Sequence, residues 1–176
     1  MKIVLVGYRA AGKSTLGKRI SARLDMPYLD IDRGIEQRIG EQTLTDFYGA
    51  VGEQGFRPLE TEVVVEMCQA QRAVIAFGAG SLTRTANQEA ARHNALVVYL
   101  QVGVDELWRR IESDPSSGHT RPNLAGGGIA EVKEMLAMRE PVYVACADLV
   151  LDGALPPDEL LERVIEAYRQ RAGLAP

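Results

Sequence analysis

Two cysteines and two histidines are all the chain offers as thiol or imidazole ligands, and neither pair has metal-ligand spacing. Cys68 and Cys146 each sit in apolar surroundings. They read as buried free thiols rather than a disulfide framework, which suits a reducing cytoplasm. His93 and His119 form no cluster and read as structural or solvent-facing. Excess positive charge is also missing. The formal net charge is -4, which argues against a general nucleic-acid binder, because such a protein needs a cationic face. No apolar run approaches the roughly 20 residues of a membrane-spanning helix. The opening run, Met1 to Val6, is too short for a signal peptide and stops at Gly7. These absences leave the expectation of a cytoplasmic, monomeric protein without nucleic-acid or membrane partners.

What the chain has instead is alternation. Its 176 residues, 46% hydrophobic and 25% charged, suit one compact soluble domain. Ile3 to Val6, Ala73 to Phe77, Leu96 to Leu100 and Ala147 to Leu151 are short apolar runs bounded by Gly, Asn or Asp, the pattern of strands buried on both faces. Tyr28-Leu29-Asp30 is a shorter candidate for another. Between them, Lys13 to Leu24, Glu53 to Ala70, Val104 to Ile111, Ile129 to Met138 and Pro157 to Arg169 repeat apolar residues at helical spacing. Strand and helix in turn predict a three-layer α/β fold, a parallel sheet flanked by helices, over residues 1–176 as a single domain. Two regions break the rhythm. Ile31 to Gly52 reads as short helices with glycine breaks, an insertion. Asp114 to Gly128 is rich in Gly, Ser and Pro and reads as a loop or a mobile lid between two helices.

Directly after the first strand stands Gly7-Tyr8-Arg9-Ala10-Ala11-Gly12-Lys13-Ser14-Thr15, which satisfies G-x-x-x-x-G-K-[ST] with a strand before it and a helix after it. Gly7 and Gly12 let backbone N–H groups close around phosphate oxygens, and the following helix aims its positive end at them. Lys13 places a point charge near the β- and γ-phosphates, and the Ser14 hydroxyl is a natural Mg²⁺ ligand. This P-loop predicts binding of a nucleoside triphosphate through Gly7, Ala10, Ala11, Gly12, Lys13, Ser14 and Thr15. No Asn-Lys-x-Asp segment of a guanine reader is present, and the chain is short for a motor.

Further segments follow in order: Asp30 with Asp32, Gly52 to Glu60, Gly78-Ala79-Gly80, Arg121 to Leu124, and Arg139 to Tyr143. With the P-loop they resemble shikimate kinase along nearly the whole chain. The resemblance implies about five parallel strands, a substrate-binding insertion near 31–60 and a lid near 113–128. It also implies transfer of the γ-phosphoryl of ATP to shikimate, giving shikimate 3-phosphate and ADP, with Mg²⁺ as cofactor. Carried onto these positions, it makes Lys13, Asp32 and Arg121 catalytic and puts Phe56, Arg57, Gly78, Ala79, Gly80 and Arg139 with Asp32 around the acceptor. Arg57 and Arg139 would grip the carboxylate, because a guanidinium fork matches its two oxygens. Ser14 and Asp30, the latter through water, would hold the metal. Arg110 and Arg121 would join the nucleotide site.

On the residues alone, each assignment has a structural rival. Asp32 suits a helix cap. Arg57 stands at helical neighbour spacing from Glu53 and Glu60, as a surface ion pair would. Arg139 suits a helix end, and Arg121 a loop charge. The sequence departs from the family pattern at Ala79, the middle of its triple glycine, and at Ala10, where a glycine is common. The rival functions are a related kinase of the gluconate or nucleoside-monophosphate type and a catalytically silent nucleotide-binding protein.

Overall fold

The computed structural model describes residues 1–114 and 127–173. β1 (Lys2–Val6) is buried at every position, as a strand covered on both faces must be, and its Ile and Val side chains favour the extended backbone. It pairs in parallel with β3 (Val74–Ala76) on one side and β4 (Ala95–Gln101) on the other. β2 (Tyr28–Asp30) and β5 (Leu149–Asp152) complete a five-stranded parallel sheet in the order β2-β3-β1-β4-β5. The chain leaves β1 towards one edge and leaves β3 towards the other. The adjacent carboxyl ends of β1 and β3 therefore border a crevice, where open α/β sheets bind ligands.

Helices α1 (Lys13–Leu24), α2 (Ile31–Ile39), α3 (Leu44–Met67), α4 (Thr85–Arg92), α5 (Val104–Ser113), α6 (Gly128–Cys146) and α7 (Pro157–Ala172) flank the sheet, with a 3₁₀ turn at Ser81–Thr83. α1 and β2 occupy the residues predicted from their patterns. α3 begins earlier than predicted: Thr43 caps it, its Oγ1 accepting the Asp46 N–H at 3.1 Å. Its two halves meet at a non-helical Gly52 (φ 66°, ψ -178°), where a glycine break was expected. α6 extends past Met138 through Pro141 to Cys146, so Ala147 caps that helix instead of starting β5. α4 was not foreseen. Only Asn87 and Ala91 of its eight residues are buried, too few to write an apolar rhythm. Both cysteines are free and buried, and burial pushes the Cys68 thiol up to about 11.

Candidate active site

The P-loop wraps from β1 into α1. Gly12 caps α1 with φ 96°, a conformation in which glycine avoids the Cβ clash other residues meet. Ala10 also lies in the left-handed region, at φ 61°. An alanine there bears a steric penalty of about 1 kcal/mol that glycine would not, so its replacement of glycine is tolerated rather than neutral. Lys13 is buried, and its ammonium donates to Gly7 O at 2.9 Å and Tyr8 O at 2.8 Å. It is thereby folded back over the loop, beside the backbone N–H groups that open α1.

A cleft of about 640 Å³ opens in front of this loop, lined by Ala10, Gly12, Lys13, Ser14, Thr15, Asp30, Asp32 and Arg110 among others. Ser14 Oγ stands 3.3 Å from Asp30 Oδ2, which also accepts the Tyr28 hydroxyl at 2.8 Å. Burial raises the Tyr28 hydroxyl above its ordinary value, so it stays protonated and keeps donating. Arg110 donates to Ala10 O at 3.3 Å and to Gly153 O at 3.0 Å, tying the phosphate loop to the turn after β5. Gly7 and Ala11 support the loop from behind without lining the cleft: Gly7 through the carbonyl that receives Lys13, Ala11 by donating its N–H to Tyr8 O.

A second, smaller cleft adjoins the first and shares Arg9, Asp32 and Leu44 with it. Asp32, Phe56, Arg57, Gly78, Ala79, Gly80 and Arg139 all line it, so every residue expected at the acceptor is brought to one place. Three of the four structural rivals meet the geometry as follows. The cap of α2 is Asp30, whose Oδ1 accepts the Asp32 N–H at 3.1 Å. Asp32 lies in the first turn and lines both clefts. Arg57 does pair with Glu53 and Glu60; Glu53 is exposed, but the Glu60 pair is not at the surface. Its Nη1 donates to Glu60 Oε2 at 2.6 Å, both residues are buried, and Ser81 Oγ donates to the other Glu60 oxygen at 2.8 Å. Burial works against the Arg57 charge, yet Glu60 and then Glu53 more than restore it, leaving its pKa above the ordinary value. Arg139 lies inside α6 rather than at its end, with its Cζ 5.9 Å from the centroid of the Tyr8 ring. Arg121, with the motif to Leu124, falls outside the described residues.

The Gly78–Gly80 segment explains its own composition. A Cβ on Gly80 would lie 2.4 Å from Arg57 Nη2, and one on Gly78 would lie 2.8 Å from Asp32 Oδ1. Ala79 needs no positive φ, so its methyl is compatible with the backbone, and its carbonyl accepts the Tyr143 hydroxyl from α6. Gly80→Ala therefore displaces the Arg57 guanidinium. It is expected to weaken a carboxylate acceptor about tenfold or more, the value of one charge-assisted hydrogen bond, with ATP affinity within about twofold. Steady-state KM values for both substrates check it, and an unchanged acceptor KM contradicts it.

Tyr8, Arg9, Leu44, Tyr48, Glu60 and Glu131 also line the second cleft and have no site role in the sequence reading. Tyr8 and Arg9 could have been found by position, since they begin the loop at the carboxyl end of the central strand. Glu131 carries no local signal and arrives by tertiary packing alone.

The shikimate kinase family model matches residues 9–169. The chain is 35% identical over 175 residues to a shikimate kinase of Pseudomonas syringae pv. tomato, covering 99% of this chain and 98% of the relative. The fold superposes on a shikimate kinase from Acinetobacter baumannii in complex with shikimate with a TM-score of 0.88 at 28% identity, covering 97% of this chain and 93% of the other. A shikimate kinase from Bacteroides thetaiotaomicron gives a TM-score of 0.81 at 30% identity, with 99% of each chain covered.

Proposed function

This chain belongs to the shikimate kinase family, and on that premise we propose that it transfers the γ-phosphoryl of ATP to the 3-hydroxyl of shikimate, giving shikimate 3-phosphate and ADP. The observation that carries this reading is the place of Asp32, the carboxylate shared by a nucleotide cleft and a cleft lined by Arg57 and Arg139.

Each residue then has a task. ATP lies along the P-loop, its phosphates against the N-terminal N–H groups of α1, with Lys13 leaving its two carbonyls for the β- and γ-oxygens. Arg110 borders the nucleotide. Ser14 and Asp30 present a hydroxyl and a carboxylate towards each other, the hard oxygen donors that suit Mg²⁺, with Asp30 acting through water. Held there, Mg²⁺ would supply positive charge to offset that of the β- and γ-phosphates. Arg57 and Arg139 take the shikimate carboxylate, Phe56 braces Arg57 with its ring centroid 5.6 Å from the guanidinium carbon, and the Gly78–Gly80 backbone closes against the ring. Asp32 orients the attacking hydroxyl. The hydroxyl oxygen bonds to the γ-phosphorus as the bond to the β,γ-bridging oxygen breaks and ADP leaves, and Asp32 takes the hydroxyl proton late. Arg121 would offset charge during transfer. Residues 31–60 serve as the acceptor-binding insertion within a single domain, and 113–128 as the lid.

No helix among the described residues is long and apolar enough to cross a membrane. Buried free thiols favour a cytoplasmic setting, and the net charge of -4 favours no nucleic-acid partner; we take the working form as a monomer.

The product tests the reading. A phosphorus–proton correlation spectrum is expected to couple the new phosphorus to the C3 proton of the shikimate ring, and coupling elsewhere contradicts the assignment of the hydroxyl. Arg139→Ala is expected to raise KM for shikimate about tenfold to a hundredfold, the value of a charge-assisted, potentially bidentate contact, while KM for ATP moves less than about threefold. Equal effects on both substrates would remove Arg139 from the carboxylate.

A further inference from the structure

Arg9 has no role in the reaction set out above, yet the fold gives it a particular place. Arg57 and Arg139 line only the acceptor cleft, whereas Lys13, Arg33 and Arg110 line only the nucleotide cleft. Arg9 lines both, alongside Asp32 and Leu44. Among the described residues it is the cationic side chain at the junction.

Its position is held from two sides. The guanidinium carbon lies 6.0 Å from the Tyr8 ring centroid, the same ring that Arg139 approaches. Nη2 lies 3.7 Å from Glu131 Oε1. Glu131 is only 2% exposed, and its second oxygen accepts the Gly127 N–H at 2.8 Å, at the start of α6. Removing a guanidinium and a carboxylate from water costs about as much as their attraction returns, so such a pair adds little net stability. What it does supply is a cation fixed in advance of the reaction, with little rotamer freedom left to lose.

The γ-phosphoryl must cross this junction to reach the hydroxyl that Asp32 orients, and in transit its charge spreads over three equatorial oxygens. We propose that Arg9 is a further catalytic residue, its guanidinium contacting the oxygens of the phosphoryl group in transit and the phosphate of the product, with Glu131 as the positioning residue that holds it there. This rests on the kinase reading above, with shikimate as acceptor.

The test uses the full chain as wild type, Arg9→Met, Arg9→Lys, Glu131→Gln and the Arg9→Met/Glu131→Gln double variant. Shikimate-dependent ADP release by the wild type is read first, and its absence removes the acceptor reading together with this proposal. Given wild-type turnover, Arg9→Met is expected to lower kcat about 30- to 100-fold with both KM values within about threefold, since a contact made in transit acts on kcat. Inhibition by shikimate 3-phosphate should weaken about tenfold, and Arg9→Lys should recover part of kcat by keeping the charge. Glu131→Gln should lower kcat about threefold to tenfold in the wild type and cause no further loss in Arg9→Met, as a residue acting through Arg9 must. Wild-type kcat in Arg9→Met overturns the proposal, and so does a raised shikimate KM with kcat unchanged, which would make Arg9 a carboxylate ligand. Should Arg9→Met lose its thermal transition, unchanged kcat in both Arg9→Lys and Glu131→Gln overturns it equally.

Discussion

Lys13→Ala is expected to reduce kcat about a thousandfold or more while the chain still folds. The ammonium is the cation of the P-loop motif itself, and it rests on Gly7 O and Tyr8 O. Those two carbonyls hold it within a short swing of the phosphates, and alanine leaves nothing to make that swing. Loss of a preorganised charge-stabilising donor typically costs about 10² to 10³ in kcat, and loss of a full charge at the β,γ-bridge belongs at or beyond the upper end. The structural cost is smaller. Two hydrogen bonds from a buried ammonium disappear, about 2 to 5 kcal/mol together at most, partly offset by relief of its desolvation. Thermal unfolding measured beside turnover separates the two effects. Turnover within tenfold of wild type would remove the P-loop assignment.

Asp32→Asn is expected to lower kcat about 10²- to 10⁴-fold, the range for loss of a general base. Asparagine keeps the shape and one accepting oxygen, so the acceptor hydroxyl can still be oriented, but the negative charge and the destination for its proton are gone. The cap of α2 stays intact, because the accepting carboxylate is that of Asp30. The melting temperature should therefore stay within a few degrees of wild type, and KM for ATP within about threefold. A large fall in melting temperature with kcat preserved would show that Asp32 serves the fold rather than the reaction.

Much of this site could be read before the fold was known, and the reason is physical. The P-loop is contiguous, so its glycines, Lys13 and Ser14 are set by spacing alone. Strand β2 and helix α1 have local patterns strong enough to fix their bounds, while β1 gains Lys2, whose charge hides it from an apolar pattern. Asp30 and Asp32 stand two residues apart at the start of α2, and which of them caps it depends on where the helix begins, which the sequence does not disclose. Arg57 showed the same limit. Its neighbours Glu53 and Glu60 were visible at helical spacing, yet only the packing of α3 against the Ser81 turn shows that the Glu60 pair is buried. Helix α4 escaped because it buries so little, and α6 was cut short because an interior proline ordinarily ends a helix. Tyr8 and Arg9 are open to inference from their place at the carboxyl end of β1, whereas Glu131 is not, because it reaches Arg9 only through the packing of α6 near the P-loop.

The central claim is that Asp32 presents a hydroxyl of shikimate to ATP bound on the P-loop. The most direct measurement is ADP release in a coupled assay with MgATP, comparing shikimate, gluconate, AMP and no acceptor. Strong stimulation by shikimate alone is the predicted result. Tight ATP binding with no stimulation by shikimate, or stimulation by gluconate or AMP instead, would contradict it.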